Sequence, residues 1–276
     1  MADRSNSDIW AKVDDIPAEA LWAYRNQMRK ALVDYITEHI KEQTMPQWPA
    51  LDPDALTIGF ARRFATYKRA PLLFTDLDRV VQLFANVDRP IQLVYSGKAH
   101  PHDKFGQQFI HQIFELTQHP LLKGKLVFLE NYNMEIGRML TSGSDIWLNN
   151  PRRPYEASGT SGQKVAIHAG LNLSILDGWW PEGYDGANGW PIGHDASSQY
   201  KDPAIQDPED ANFLYEALEN EVIPRFYNRD ADGIPQGWVE YMRNALRDLP
   251  YQFSGHRMVS DYIAQFYKGV AAIANA

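Results

Sequence analysis

The stretch 91-IQLVYSGKAHPHDKFGQQFIHQIFELTQHPLLKGKLVFLEN-131 decides the fold. It opens on an apolar run with strand character, 91-IQLVYSG-97, continues through a polar loop into a helical segment from about Lys104 to Gln118, and ends on a second strand, 125-KLVFLEN-131. The same alternation extends in both directions. Upstream, 17–43 places Leu21, Tyr24, Met28, Leu32, Tyr35, Ile36 and Ile40 at three- and four-residue steps, which predicts an amphipathic helix. The proline-rich 45-MPQWPALDP-53 breaks it, 55-ALTIGF-60 reads as a short buried strand, and a helix is expected from about Lys68 to Ala85. Downstream come a short helix around Glu135 to Leu140, strand 145-DIWLN-149, a short helix from Gln163 and strand 172-NLSIL-176. The segment 177-DGWWPEGYDGANGWPIG-193 is too rich in Gly, Pro and Trp to read as regular structure. Three amphipathic helices, roughly Pro208–Tyr227, Gln236–Arg247 and Gly255–Ala272, close the chain. Strands alternating with helices imply an α/β fold, a Rossmann-like parallel sheet covered by helices on both faces.

Composition narrows the function classes. The 276 residues are 44% hydrophobic and 22% charged, enough for a substantial core. A formal charge of -8 gives no general attraction to nucleic acid or to an anionic membrane, so a bound anion must meet a local cluster of cations. No run approaches the roughly 20 apolar residues of a membrane span. The absence of cysteine excludes thiolate metal sites and a cysteine nucleophile, and suits a reducing cytoplasm. The start, MADRSNSDIW, lacks the basic and apolar regions of a signal peptide. The histidines show neither HExxH nor paired spacing, so no metal is expected. In 228-NRDADGIP-235 a calcium-like Asp-x-Asp-Gly fragment lacks the distal glutamate and reads as a turn.

In open parallel sheets ligands bind beyond the carboxyl ends of the strands, and the unusual loops of this chain all fall at that edge. In 60-FARRFATYKRA-70, Arg62, Arg63, Lys68 and Arg69 bring four cations to a strand-to-helix turn, which is either a solvated helix start or a phosphate site. In 155-YEASGTSGQKVAIHAG-170, the small residues Ser158 to Gly162 precede a helix and would let backbone N–H groups approach an anion. Lys164 lies just inside that helix start, where the dipole favours the neutral amine a Schiff base requires. Two phosphate cradles and one such lysine fit pyridoxal phosphate with a second phosphate nearby. GxGxxG and Walker patterns are absent.

Taken in order, 57-TIGFARRFATYKRA-70, 97-GKAHP-101, 128-FLENY-132, 156-EASGTSGQK-164 and 176-LDG-178 resemble the C-terminal catalytic domain of the glycogen and α-glucan (maltodextrin) phosphorylases, closest to their shorter bacterial and archaeal branch. The resemblance runs from about Asp15 to the C-terminus. It implies the C-terminal half of a GT-B glycosyltransferase fold over 17–276, preceded by a polar lead at 1–16, with the family's N-terminal domain missing from this chain and supplied by the same gene or a separate chain. It implies phosphorolysis of α-1,4-glucan by orthophosphate to α-D-glucose 1-phosphate, in the cytoplasm, with pyridoxal 5′-phosphate as cofactor. Lys164 matches the Schiff-base lysine; Thr160, Ser161 and Gly162 match the loop around the cofactor phosphate; Arg62 stands at a basic position near it; Tyr132 matches a cofactor-pocket tyrosine. Arg63 and Lys68 match the residues that clamp the substrate phosphate, and Glu156, Ser158 and Gly159 match those that hold the glucosyl hydroxyls. In this mechanism the cofactor phosphate shares a proton with the substrate phosphate, which makes Lys164, Arg63 and Lys68 the catalytic set.

Two other readings remain open at this stage. Nucleotide-sugar glycosyltransferases resemble this domain but carry a second glutamate where Lys164 stands. A non-catalytic glucan- or partner-binding module would keep the fold without completing a site. His168 stands where the family pattern has asparagine. The sequence is compatible with a homo-oligomer.

Overall fold

The computed structural model describes residues 7–193 and 202–267. Among them the elements run α1 (Ser7–Ala11), α2 (Ala18–His39), β1 (Leu56–Ala61), α3 (Leu77–Ala85), β2 (Ile91–Ser96), α4 (Lys104–Thr117), β3 (Leu126–Leu129), α5 (Met134–Gly143), β4 (Ile146–Asn149), α6 (Thr160–Ile167), β5 (Leu171–Ile175), α7 (Trp180–Gly183), β6 (Gly189–Ile192), α8 (Pro203–Ala217), α9 (Ile223–Tyr227), α10 (Gln236–Gln252) and α11 (Gly255–Tyr262).

The strands form one sheet in the order β3-β2-β1-β4-β5-β6, every pair parallel. All residues of β1 to β5 are buried, which is why these strands read as nearly continuous apolar runs rather than as alternating ones. Their side chains divide between two cores. Ile58, Phe60, Leu93, Tyr95 and Phe128 join a large cluster that includes Trp180, Phe226 and Trp238. Ala61, Val94, Val127, Leu129 and Trp147 pack on the opposite face against Leu32 and Ile36 of α2 and Ile136 and Leu140 of α5. The strand order reverses between β1 and β4, and that reversal opens a crevice at their carboxyl ends.

α2 is tied to the sheet by charge as well as by packing. Arg25 Nε and Arg29 Nη1 both donate to Asp145 Oδ1, at 3.1 and 2.9 Å, while the Thr57 N–H donates to Asp145 Oδ2 at 2.9 Å. Along the outer edge of β3 runs the proline-rich segment. There Gln47 Nε2 donates to the Phe128 carbonyl at 2.6 Å, and the Phe128 N–H donates back to Gln47 Oε1 at 2.8 Å.

Several elements differ from the sequence-based expectation. The helix expected from Lys68 begins only at Leu77; the residues before it form two 3-10 turns, Thr66–Lys68 and Leu72–Phe74. Arg69 adopts a left-handed conformation (φ 48°, ψ 47°) and Pro71 follows, so a continuous helix is excluded until Asp76 caps α3 by accepting the Arg79 N–H. The stretch 177–193 is not wholly irregular: it holds α7 and the edge strand β6, where Pro191 is tolerated because an edge strand has one side outside the ladder. α6 begins at Thr160 rather than Gln163. α8 begins at Pro203, capped by Asp202, and reaches α9 through a π-helical turn at Leu218–Val222. Residues 7–15 are helical, and the Val13 carbonyl accepts from Arg243 Nη1 at 2.5 Å. The end of the last expected helix, 268–272, lies outside the described residues.

Candidate active site

A cavity of about 870 Å³ lies at the carboxyl ends of β1 to β4. The loop after β1 contributes Arg62, Arg63, Tyr67 and Lys68; that after β2, Lys98 and His100; that after β3, Tyr132; that after β4, Glu156, Ser158, Gly159, Thr160 and Ser161, with Lys164 on α6 behind them. Gly162 is buried just outside the wall, its carbonyl accepting from Asn172 Nδ2 at 3.1 Å. A Cβ on Gly162 would stand 2.3 Å from Asn172 Oδ1, so a side chain there would displace the amide that ties the loop to β5.

The first two loops are joined through their backbones. The Arg62 N–H donates to the Ser96 carbonyl at 3.3 Å and the Phe64 N–H to the Lys98 carbonyl at 2.9 Å, which extends the β1–β2 ladder past the strand ends. Gly97 permits this approach: its φ is 153°, and a Cβ would fall 2.0 Å from the Arg62 carbonyl oxygen.

The 176-LDG-178 motif acts on the opposite wall. Asp177 Oδ2 accepts the Glu156 N–H at 2.9 Å, the Trp179 N–H donates to the Ser158 carbonyl at 3.0 Å, and Gly178 leaves room where a Cβ would meet that carbonyl at 2.3 Å. Gly159, at φ 87°, turns the chain into α6, and Ser161 Oγ accepts from Trp147 Nε1 at 3.1 Å. Lys164 leans back along the helix toward its start, its Nζ 3.5 Å from Thr160 Oγ1, and remains exposed.

Charge is concentrated at one point. Arg62 Nη2 donates to Glu156 Oε2 at 2.7 Å and Lys68 Nζ donates to the same oxygen, with all three side chains buried. Lys68 Nζ also lies 4.8 Å from the centre of the Tyr67 ring. Arg63 is exposed, its Nη2 at 3.4 Å from the Tyr67 hydroxyl. Burial alone would raise the Glu156 carboxyl, but Arg62 and Lys68 together outweigh it and hold the group below its ordinary 4.5. A carboxyl depressed in the fold adds stability above its ordinary range and loses it as pH falls through the folded value. Stability should therefore drop as pH falls below 4.5, and Glu156→Gln should flatten that part of the profile in urea melts taken across pH.

The matching family model is that of the carbohydrate phosphorylases, over residues 11–182. The chain belongs to the carbohydrate phosphorylase family. It is 43% identical to the maltodextrin phosphorylase of Thermococcus litoralis, over 97% of this chain and 32% of that protein. With the glycogen phosphorylase of Aquifex aeolicus the identity is 39%, over 96% of this chain and 39% of the relative. With that of Mycobacterium tuberculosis it is 41%, over 95% and 31%. The chain thus spans about a third of the length of these relatives.

One residue of this phosphorylase domain lies elsewhere than the sequence suggested. Arg69, grouped with the phosphate cations, turns away from the cavity: its guanidinium donates to the carbonyls of Asn150 (2.9 Å) and Pro151 (2.8 Å) and pairs with Asp207 and Asp210 on α8. It is a strut between the β1 loop, the β4 loop and α8. His168 caps the far end of α6, where its Nδ1 lies 3.3 Å from the Tyr24 hydroxyl and its carbonyl accepts from Arg25 Nη1 at 3.0 Å. It serves the α2 interface. Conversely, Tyr67, Lys98 and His100 line the cavity although only their loops, not the residues, stood out in the sequence. Among the described residues no helix is long and apolar enough to cross a membrane.

Proposed function

We propose that this chain is the catalytic domain of an α-glucan phosphorylase, cleaving α-1,4-glucan with orthophosphate to release α-D-glucose 1-phosphate, and that it takes pyridoxal 5′-phosphate as cofactor. The observation that carries the reading is the single cavity in which Arg62, Arg63, Lys68 and a small-residue loop ending at Lys164 face Glu156. The residues fit the cofactor. Arg62 Nη1 is buried with no hydrogen-bond partner among the described residues, a donor suited to a phosphate oxygen. The Gly159–Gly162 turn brings backbone close to the cavity at the start of α6, where an anion is favoured, and the exposed Lys164 amine is within reach of a carbonyl carbon in the cavity. Thr160, Ser161 and Arg62 would hold its phosphate, with Gly162 seating the loop behind them, and Tyr132 its ring side.

When bound, pyridoxal 5′-phosphate supplies a phosphate that exchanges a proton with the substrate phosphate. The chain's own residues do the rest. Arg63 and Lys68 hold orthophosphate beside the bond to be cleaved, and with Arg62 they offset the repulsion of two phosphates placed together. Glu156 and the backbone at Ser158 and Gly159 orient the glucosyl hydroxyls. The relatives are about three times as long, which supports a second domain, from the same polypeptide or a separate one, that closes the cleft over the glucan.

The test is direct. Pyridoxal phosphate added to the folded chain and fixed with borohydride should label one peptide, that of Lys164, and Lys164→Arg should abolish the label while keeping the circular dichroism spectrum. Labelling spread over surface lysines, or none on a folded chain, would overturn the cofactor assignment.

A further inference from the structure

The groups assigned above to sugar and to phosphate are paired with each other. Glu156 accepts from Arg62 Nη2 at 2.7 Å and from Lys68 Nζ, and the three side chains are 7%, 5% and 9% exposed. We propose that Glu156 is the resident counter-anion of this site: an arriving phosphate group takes Arg62 and Lys68 from it, and the freed carboxylate then accepts a hydrogen bond from a sugar hydroxyl. Phosphate and sugar would accordingly bind with positive coupling. The phosphate half of this inference stands on the ion geometry alone; the sugar half rests on the function proposed above.

Three observations carry it. Two buried cations share one carboxylate oxygen, an arrangement that neutralises only one of the two charges and leaves Arg62 Nη1 without a partner among the described residues, so the guanidinium has donor capacity that Glu156 does not use. Among the described residues Lys68 pairs with Glu156 and otherwise meets the Tyr67 ring, and none of them offers a second carboxylate that would hold it back from an incoming anion. The backbone beneath Glu156 is fixed on both sides, by Asp177 at its own N–H and by Trp179 at the Ser158 carbonyl. The exchange is then a rotation of one side chain on an anchored loop, and the loop itself need not open. A carboxylate kept by buried cations leaves only when another anion replaces it, which makes the arrival of phosphate the condition for sugar binding. By linkage, sugar must favour phosphate to the same degree.

Inorganic phosphate is the probe, with calorimetry and thermal unfolding as readouts on the wild-type chain and on Glu156→Gln. Removing the resident charge should lower the melting temperature without phosphate, enlarge the rise that phosphate produces, and tighten phosphate binding by about tenfold, toward the lower end of the usual range of site coupling. In the wild type, glucose should tighten phosphate binding; in Glu156→Gln that coupling should vanish. A residue that merely supported the loop would weaken phosphate on removal, so unchanged or weaker binding to folded Glu156→Gln overturns the proposal. If that variant does not fold, Glu156→Asp shortens the same acid, and a gain in phosphate affinity supports the idea while its absence overturns it. The outcomes separate from the cofactor test: tighter phosphate without a Lys164 label keeps the counter-anion and removes the cofactor, and the reverse result does the opposite.

Discussion

Asp145→Asn is expected to lower the unfolding free energy by about 3–5 kcal/mol, the usual loss when one partner of a buried ion cluster is removed. Asp145 and Arg25 are wholly buried and Arg29 nearly so, and both arginines share this one carboxylate. Burial pulls the Arg25 guanidinium below its ordinary value, and the Asp145 charge opposes that shift. Asparagine keeps the shape but only one acceptor oxygen, so the charge is lost together with the acceptor for either the arginines or the Thr57 N–H. Two guanidiniums would then sit in the interface between α2 and the sheet without a counter-ion. Arg29 cannot swing out to water, because its Nε is held by the Pro53 carbonyl at 2.6 Å and it lies over Trp22 and Phe226 at 5.3 and 5.2 Å. Urea unfolding should show a lower midpoint at an unchanged slope. A loss under about 1 kcal/mol, the size of an exposed pair, would mean that the cluster is solvated.

Gly97→Ala should produce the second large effect, on both stability and the site. A Cβ there meets the Arg62 carbonyl oxygen at 2.0 Å, a backbone atom that no side-chain rotation can clear, at a φ of 153° that alanine rarely adopts. Strain of this kind costs on the order of 1–3 kcal/mol. Relief requires the β2 loop to lift away from Arg62, which breaks the Arg62–Ser96 and Phe64–Lys98 hydrogen bonds. Phosphate affinity should fall together with stability, since Lys98 and Arg62 form neighbouring walls of the cavity. Gly255→Ala is the control: nothing lies within 4 Å of its added Cβ and stability should hold. Denaturant melts with phosphate titrations on both variants measure the contrast, and equal behaviour of the two would refute the clash.

How much of this was legible in the sequence follows from how local each signal is. β1 to β5 are buried on both faces, so each announces itself as an apolar run in its own residues. β6 did not, because Gly189 and Pro191 are breakers in isolation and only the pairing with β5 makes 189–192 a strand. The 68–85 helix was overextended because nothing in the letters of Arg69 shows its left-handed backbone, which Asn150 stabilises from 81 residues away. Sequence distance also hid its role: a cation beside Lys68 looks like a phosphate ligand until Asp207 and Asp210 come to meet it. The cavity loops were found through ordered motifs, yet the pairing of Glu156 with Arg62 and Lys68 joins loops about ninety residues apart and has no local sign. Asp145 was read only as the start of a strand, because Arg25 and Arg29 lie 120 and 116 residues before it.

The contact between Gln47 and Phe128 has a consequence for how copies of this molecule behave toward one another. A carboxamide that both donates to and accepts from one residue of an outer strand imitates the peptide group of a further strand. β3 therefore offers a would-be neighbour a rung already taken, in a strand of only four residues. At the other margin of the sheet, β6 carries Pro191, which has no amide hydrogen to donate. Both margins are poor templates for strand recruitment, so concentrated solutions of the folded chain should resist fibre growth, and Gln47→Ala should be the change that seeds it.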